Sequence, residues 1–147
     1  MTKKFKVVSE FIKDMSSETP DIQTYLFVKD NIGKYLLNIE INSKALKDKI
    51  IEVNTTLKFS DNEQSDKKST FEIVYVSIVE IDEEIKDKNE LQKIILCDVQ
   101  NQIYPKLEKS LLNMLSDSGY PGIKFVKKID FDQLYKEKFN QKNFSSN

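Results

Sequence analysis

Residues 71–81 read FEIVYVSIVEI, and this stretch decides the fold. Apolar side chains occupy most positions on both of its alternating faces, and many are β-branched or aromatic, which favours a strand. A strand that is apolar on both faces needs cover on both sides. We therefore expect helices of the same chain on one face of the sheet and a second subunit on the other.

Three stretches before this strand alternate with a period of two residues and predict further strands. These strands are residues 5–15, 35–42 and 50–59, with a charged loop at 60–70. Residues 16–33 form a long connection in which Thr19 and Pro20 mark a possible helix start. Long connections that carry an aromatic cluster of their own are often functional.

Helical signals follow the fourth strand. Asp87 and Glu90 form a capping-box-like start, and Pro105 predicts a break. A second helix ends at Gly119, and a last helix starts at Asp130. Strands followed by helices define the α+β class. We predict a four-stranded antiparallel sheet followed by two or three helices packed on one face.

The composition excludes several classes of function. The 147 residues carry 23 basic and 24 acidic side chains, a net charge of -1, which argues against nucleic-acid partners. Histidine is absent and glycine occurs three times, which excludes histidine-based catalysis and phosphate-binding glycine loops. No apolar run approaches the ~20 residues of a membrane span. We expect no cofactor, no metal and no membrane insertion, although a small enzyme using carboxylates or lysine stays open as an alternative.

Two strings resemble the SecB family of bacterial export chaperones. They are FIKDMSSETP at residues 11–20 and FEIVYVSIV at 71–79. Weaker support comes from Tyr104-Pro105, Gly119-Tyr120-Pro121 and residues 129–135, which occur in the family's order. The resemblance implies one SecB-like chaperone domain over residues 1–139, and we expect a flexible tail at 140–147.

The implied function is that of a holdase, which binds unfolded precursor polypeptides in the cytoplasm and keeps them export-competent. The implied assembly is a homotetramer, a dimer of dimers, that can hand its clients to the SecA motor. The chain lacks the Cys- and His-bearing zinc tail of many members, which leaves a sheet-mediated contact with SecA open. Departures from the family pattern, such as Val76-Ser77 in place of a glycine pair, motivate an alternative: a SecB-like chaperone dedicated to one client, such as a toxin–antitoxin partner.

Three sets of residues are candidates for binding. The resemblance places SecA-like contacts at Asp14, Glu18 and Glu72, against the alternative of ordinary solvated carboxylates. A groove for apolar client segments is expected at Phe11, Tyr25, Leu26, Phe27 and Tyr75, with a helical wall of Leu107, Leu111 and Met114. The alternative for this second set is core packing. Subunit contact is expected at Val74, Val76 and Ile78, against cover by a loop of the same chain.

Overall fold

A computed structural model describes residues 4–61, 66–125 and 128–137. Its strands are β1 (Phe5–Glu18), β2 (Leu36–Lys47), β3 (Ile50–Ser60) and β4 (Thr70–Ile81). Its helices are α1 (Ile22–Asn31), α2 (Lys88–Lys93), α3 (Val99–Asp117) and α4 (131–137). A 3-10 turn (Ile32–Lys34) follows α1, and a π-helical turn (Ile94–Asp98) joins α2 to α3. The predicted tail at 140–147 lies outside the described residues.

The four strands form one antiparallel sheet in the order β1-β4-β3-β2. The two most buried strands, β3 and β4, lie in the centre, whereas β1 and β2 are the edges. Side chains alternate strictly along β4, and its odd-numbered residues from Phe71 to Ile81 are buried. This arrangement confirms the predicted α+β class.

The core lies between one face of the sheet and α3. From the sheet come Val53, Leu57, Phe71, Ile73 and Val79, and from the helix come Ile103, Leu107, Leu111 and Leu115. The helical set follows a spacing of four residues, which places it on one stripe of α3. We call this side the core face of the sheet and the opposite side the outer face.

The break predicted at Pro105 is wrong, because α3 runs through that residue to Asp117. Proline removes one backbone donor from the helix, but Pro105 is exposed, so water can satisfy the carbonyl left without a partner. Burial of the α3 stripe outweighs this local cost. The predicted end at Gly119 is confirmed: its φ is 101°, and the Tyr120 N–H donates to the Leu115 carbonyl at 2.9 Å.

The long β1–β2 connection contains α1. Its N-cap is Asp21, two residues after the predicted cap at Thr19, and the Asp21 carboxylate accepts a 2.8 Å hydrogen bond from the Thr24 N–H. A hydrogen bond from the Thr24 side chain, together with this backbone bond, holds the pKa of Asp21 below its ordinary value of 3.8. In the described part of the chain, no helix is long and apolar enough to cross a membrane.

Candidate functional site

The predicted acidic contacts lie together on the outer face. In the β1–β4 register, Asp14 pairs with Val74, Ser16 with Glu72 and Glu18 with Thr70. Asp14 and Glu18 therefore lie diagonally on either side of Glu72. Both β1 carboxylates are exposed, and Glu72 is half-buried with Lys58 as its neighbour on β3.

A bulge in β1 creates this arrangement. The register shifts between Ile12 and Asp14, so that Lys13 has no partner on β4. Strict alternation would place Asp14 on the same face as Ile12, which pairs with Tyr75 on the core face. The bulge instead turns Asp14 to the outer face, where it joins Glu72.

The residues of the predicted client groove do not form one surface. Leu107 and Leu111 are fully buried and Met114 nearly so, which makes core packing the correct interpretation for the helical wall. Phe11 lies on the outer face opposite Val76, whereas Tyr75 is buried on the core face. The sheet itself separates these two aromatic side chains, so the prediction that they line one groove is wrong.

Leu26 and Phe27 do lie on a surface, together with a residue that sequence reasoning missed. Ile22 is 67% exposed, Leu26 56% and Phe27 41%. We call this set the apolar face of α1. On the other side of the helix, Thr24 and Val28 are buried. The spacing of four residues between Ile22 and Leu26, just after the Asp21 cap, is the signal that could have revealed Ile22.

Tyr25 points inward from the same helix. Its hydroxyl donates to the Gly119 carbonyl at 3.0 Å, and its ring centroid lies 5.4 Å from that of Tyr120. The residue is half-buried, so it differs from Leu26 and Phe27, with which the sequence grouped it.

Strand β1 carries exposed apolar side chains on both of its faces. They are Val8, Phe11, Ile12 and Met15. Phe11 pairs with Val76 on the outer face, whereas Ile12 and Met15 pair with Tyr75 and Ile73 on the core face. Within the described part of the chain, the second edge of β1 pairs with no other strand, so its backbone donors and acceptors lie beside exposed apolar surface.

The predicted subunit contact on β4 is less exposed than β1. Val76 is only 1% exposed, and its cross-strand partners are Phe11 and Asn54. Val74 and Ile78 are half-buried on the same outer face. Little of Val76 is thus left for contact with another chain, and the larger apolar surface belongs to β1.

The buried ionisable groups are arranged to stay uncharged. Burial, reinforced by the Asp132 carboxylate, raises the pKa of Cys97 to about 12, and the thiol donates to that carboxylate at 2.8 Å. Burial and the neighbouring Glu10 carboxylate raise the pKa of Tyr75, whose hydroxyl donates to Glu10. Lys106 on α3 lies 3.4 Å from the second Glu10 oxygen. A neutral buried thiol is a poor nucleophile, as expected for Cys97 in a structural role.

Among the residues that the structure describes, no group of three acids or thiols lies close enough together to hold a metal ion. What the described surface offers instead is apolar side chains on α1 and β1 and a carboxylate patch on the outer face. Exposed apolar surface of this kind is typical of proteins that bind other polypeptides.

Comparison with known proteins gives the family. The profile of the preprotein translocase subunit SecB matches residues 1–142. A SecB-type protein-export protein of Pelagibacter ubique is 64% identical over 140 residues, which cover 95% of this chain and all of that protein. The protein-export protein SecB of Mesorhizobium japonicum is 23% identical, over 90% of this chain and 77% of its own length. The chain therefore belongs to the SecB family.

A solved structure has the same fold. The SecB-like chaperone of Mycobacterium tuberculosis, solved in complex with a peptide from an antitoxin, superposes with a TM-score of 0.65. The match covers 86% of this chain and 92% of the other chain. Because the two sequences are only 11% identical, the match shows a shared fold and nothing about function. Family and relatives together confirm the prediction of a protein-export chaperone rather than an enzyme.

Proposed function

We propose that this chaperone holds unfolded preproteins in the cytoplasm by binding their apolar segments on the apolar face of α1. The observation that carries the proposal is the exposure of Ile22, Leu26 and Phe27 on a short helix whose opposite side is packed into the chain. A holdase must accept many sequences, so it needs apolar surface and no precise hydrogen-bond pattern.

Each contact of this kind is weak, and an oligomer multiplies it. Several copies of the α1 face, engaged by one extended client, raise the overall affinity through the high effective concentration of the second site. We propose a homotetramer built as a dimer of dimers. The exposed apolar residues on both faces of edge strand β1 support association between copies of the chain.

The acidic set Asp14, Glu18 and Glu72 is proposed as the contact for the SecA motor. Its support is the shared outer face and the exposure of the two β1 carboxylates. This face is opposite α3, so a partner could bind there without displacing the helix layer.

A dedicated-client role is the second candidate. The SecB-like chaperone of Mycobacterium tuberculosis was solved with an antitoxin peptide, which motivates the same question here. Recovery of one protein from the cell with the tagged chaperone would favour that role, whereas recovery of many preproteins would favour general export.

The main test is suppression of aggregation. A denatured preprotein is diluted into buffer, and light scattering is followed with and without the chaperone. We expect stoichiometric chaperone to suppress scattering, and we expect Leu26→Asp to lose much of this effect. Leu46→Asp is the matched control, since Leu46 is similarly exposed at 48% but lies on the β2–β3 hairpin. No suppression by the wild-type chain would reject the proposal.

A further inference from the structure

The β1–β2 connection, residues 19–35, is tied to one end of the core by hydroxyl groups. The ties come from Thr19 before α1, Tyr25 within it and Tyr35 after it. Their partners are Ser69, just before β4, and Gly119, just after α3. We call this set of five residues the hydroxyl clamp.

Ser69 is the centre of the clamp. It is fully buried, its N–H donates to the Tyr35 hydroxyl at 2.9 Å, and its carbonyl accepts from the same hydroxyl at 3.0 Å. Its own hydroxyl lies 2.7 Å from that of Thr19 and 3.2 Å from that of Tyr120. Every polar group of a buried loop residue is thus satisfied by side chains from other segments, which fixes those segments relative to one another.

Gly119 allows Tyr25 to reach its position. A Cβ atom at residue 119 would lie 2.6 Å from Cε1 of the Tyr25 ring, closer than any packed side chain tolerates. The same glycine adopts a positive φ of 101° to end α3. The tyrosine hydroxyl then closes the contact by donating to the Gly119 carbonyl at 3.0 Å.

We infer that the hydroxyl clamp holds α1 as a preformed binding surface, and that Tyr25 is a positioning residue. The clamp fixes the chain before, within and after the helix. Ile22, Leu26 and Phe27 therefore face outward from a helix that is already ordered before the client binds. A surface that is already ordered loses less entropy on binding. If only a fraction of molecules holds α1 in place, the apparent affinity falls in proportion to that fraction. The affinity part of this inference rests on the proposed function, whereas the clamp itself does not.

The variant Tyr25→Phe separates positioning from contact. It keeps the aromatic ring, so a direct apolar contact with the client would survive, but it removes the bond to Gly119. We expect hydrogen exchange of the α1 amides to become about fivefold faster, the effect of one lost neutral hydrogen bond. We expect the affinity for reduced, carboxymethylated α-lactalbumin, a permanently unfolded probe, to fall by two- to fivefold.

Three companion variants sharpen the test. Ser69→Ala removes the tie to Thr19 and the hydroxyl contact with Tyr120 at a residue too buried to touch a client, and it leaves both backbone bonds to Tyr35 in place. We expect the same changes as for Tyr25→Phe. Tyr135→Phe is the matched control, since that hydroxyl donates to the Asn89 carbonyl on α2 and is not part of the hydroxyl clamp, and we expect neither property to change. Leu26→Asp should lower the affinity for the probe and leave α1 exchange unchanged.

The outcomes are distinguishable. Unchanged α1 exchange in both Tyr25→Phe and Ser69→Ala would overturn the clamp. Faster exchange with unchanged affinity would overturn its link to client binding. A wild-type chain that does not bind the probe would overturn the proposed function, and the exchange measurements would still decide whether the clamp exists.

Discussion

Leu26 and Leu111 are the same residue type on helices of one chain, yet Leu26 is 56% exposed and Leu111 is fully buried. The difference comes from the sheet. The stripe of α3 that carries Leu111 lies against β4 and its neighbours, whereas the side of α1 that carries Leu26 faces away from the chain. An apolar stripe on a helix predicts that the stripe packs against other apolar residues. It does not tell whether those residues belong to the same chain or to another polypeptide.

Truncation of these two leucines should therefore have unequal effects on stability. Leu111→Ala removes buried methyl groups and leaves a cavity, and we expect the free energy of unfolding to fall by about 2–5 kcal/mol. Leu26→Ala should change it by less than about 0.5 kcal/mol, since exposed sites contribute little. Urea titration followed by circular dichroism measures both. Equal losses at the two positions would contradict the described packing.

Cys97 predicts a pH dependence at the alkaline end. The fold raises the thiol pKa from 9.0 to about 12, so folding favours the neutral thiol. The contribution of Cys97 is therefore fully present below pH 9 and is lost as the pH rises from 9 towards 12. We expect the wild-type chain to lose stability more steeply over this range than Cys97→Ser, whose hydroxyl does not titrate. Parallel stability curves for the two proteins would exclude this role of the thiol, because raised tyrosine pKa values are common to both.

At the scale of elements, the sequence predicted the strands and helix ends that have a regular pattern or a characteristic residue. The alternation in residues 50–59 and 71–81 located β3 and β4, and the glycine at 119 located the end of α3. The bulge at Lys13 was not predictable, because a bulge changes the register without a compositional signature. For the same reason, strict alternation continued from Ile12 would place Asp14 on the wrong face of β1. Core residues of α3 were assigned to the client groove because residues of both kinds are apolar.

Pro105 shows how packing overrides a local signal. The proline lies within α3, where it removes a donor, but Leu107 and Leu111 beyond it are buried against the sheet. Pro105→Ala restores the donor, and the gain is reduced by the greater freedom of the unfolded chain. We expect the free energy of unfolding to rise by about 1–2 kcal/mol in urea titration. A fall instead would indicate that the proline ring contributes to packing.

The register of β1 and β4 gives a prediction for the acidic patch. Asp14→Lys reverses one charge beside Glu72, and we expect binding of purified SecA to weaken about two- to tenfold, with a smaller dependence on salt. The matched control is Glu40→Lys, an exposed carboxylate on β2 at the other edge of the sheet. Titration by surface plasmon resonance at two salt concentrations measures both. Equal weakening by the two variants would point to general charge attraction and not to a defined patch.

At the scale of the whole molecule, the two edges of the sheet differ in the surface that they offer to another chain. The outer face of β2 carries the exposed Leu36 at one end but is otherwise polar, with Asn38, Glu40 and Asn42, a pattern that discourages pairing with another chain. Strand β1 has exposed apolar residues on both faces and is 14 residues long. The asymmetry of the two edges supports the proposed assembly: pairing through β1 would close after two copies, and other surfaces would join the dimers into the proposed tetramer.

The mass of the particle in solution tests this assembly. We expect light scattering coupled to gel filtration to give a mass near four times that of the 17.2 kDa chain. Phe11→Asp places a charge in the apolar row of β1, at a side chain that is 50% exposed, and we expect the particle to dissociate into smaller species with little loss of secondary structure. Leu46→Asp introduces the same charge at a comparably exposed site on the hairpin and should leave the mass unchanged. A wild-type chain that is monomeric at micromolar concentration would overturn the proposed tetramer.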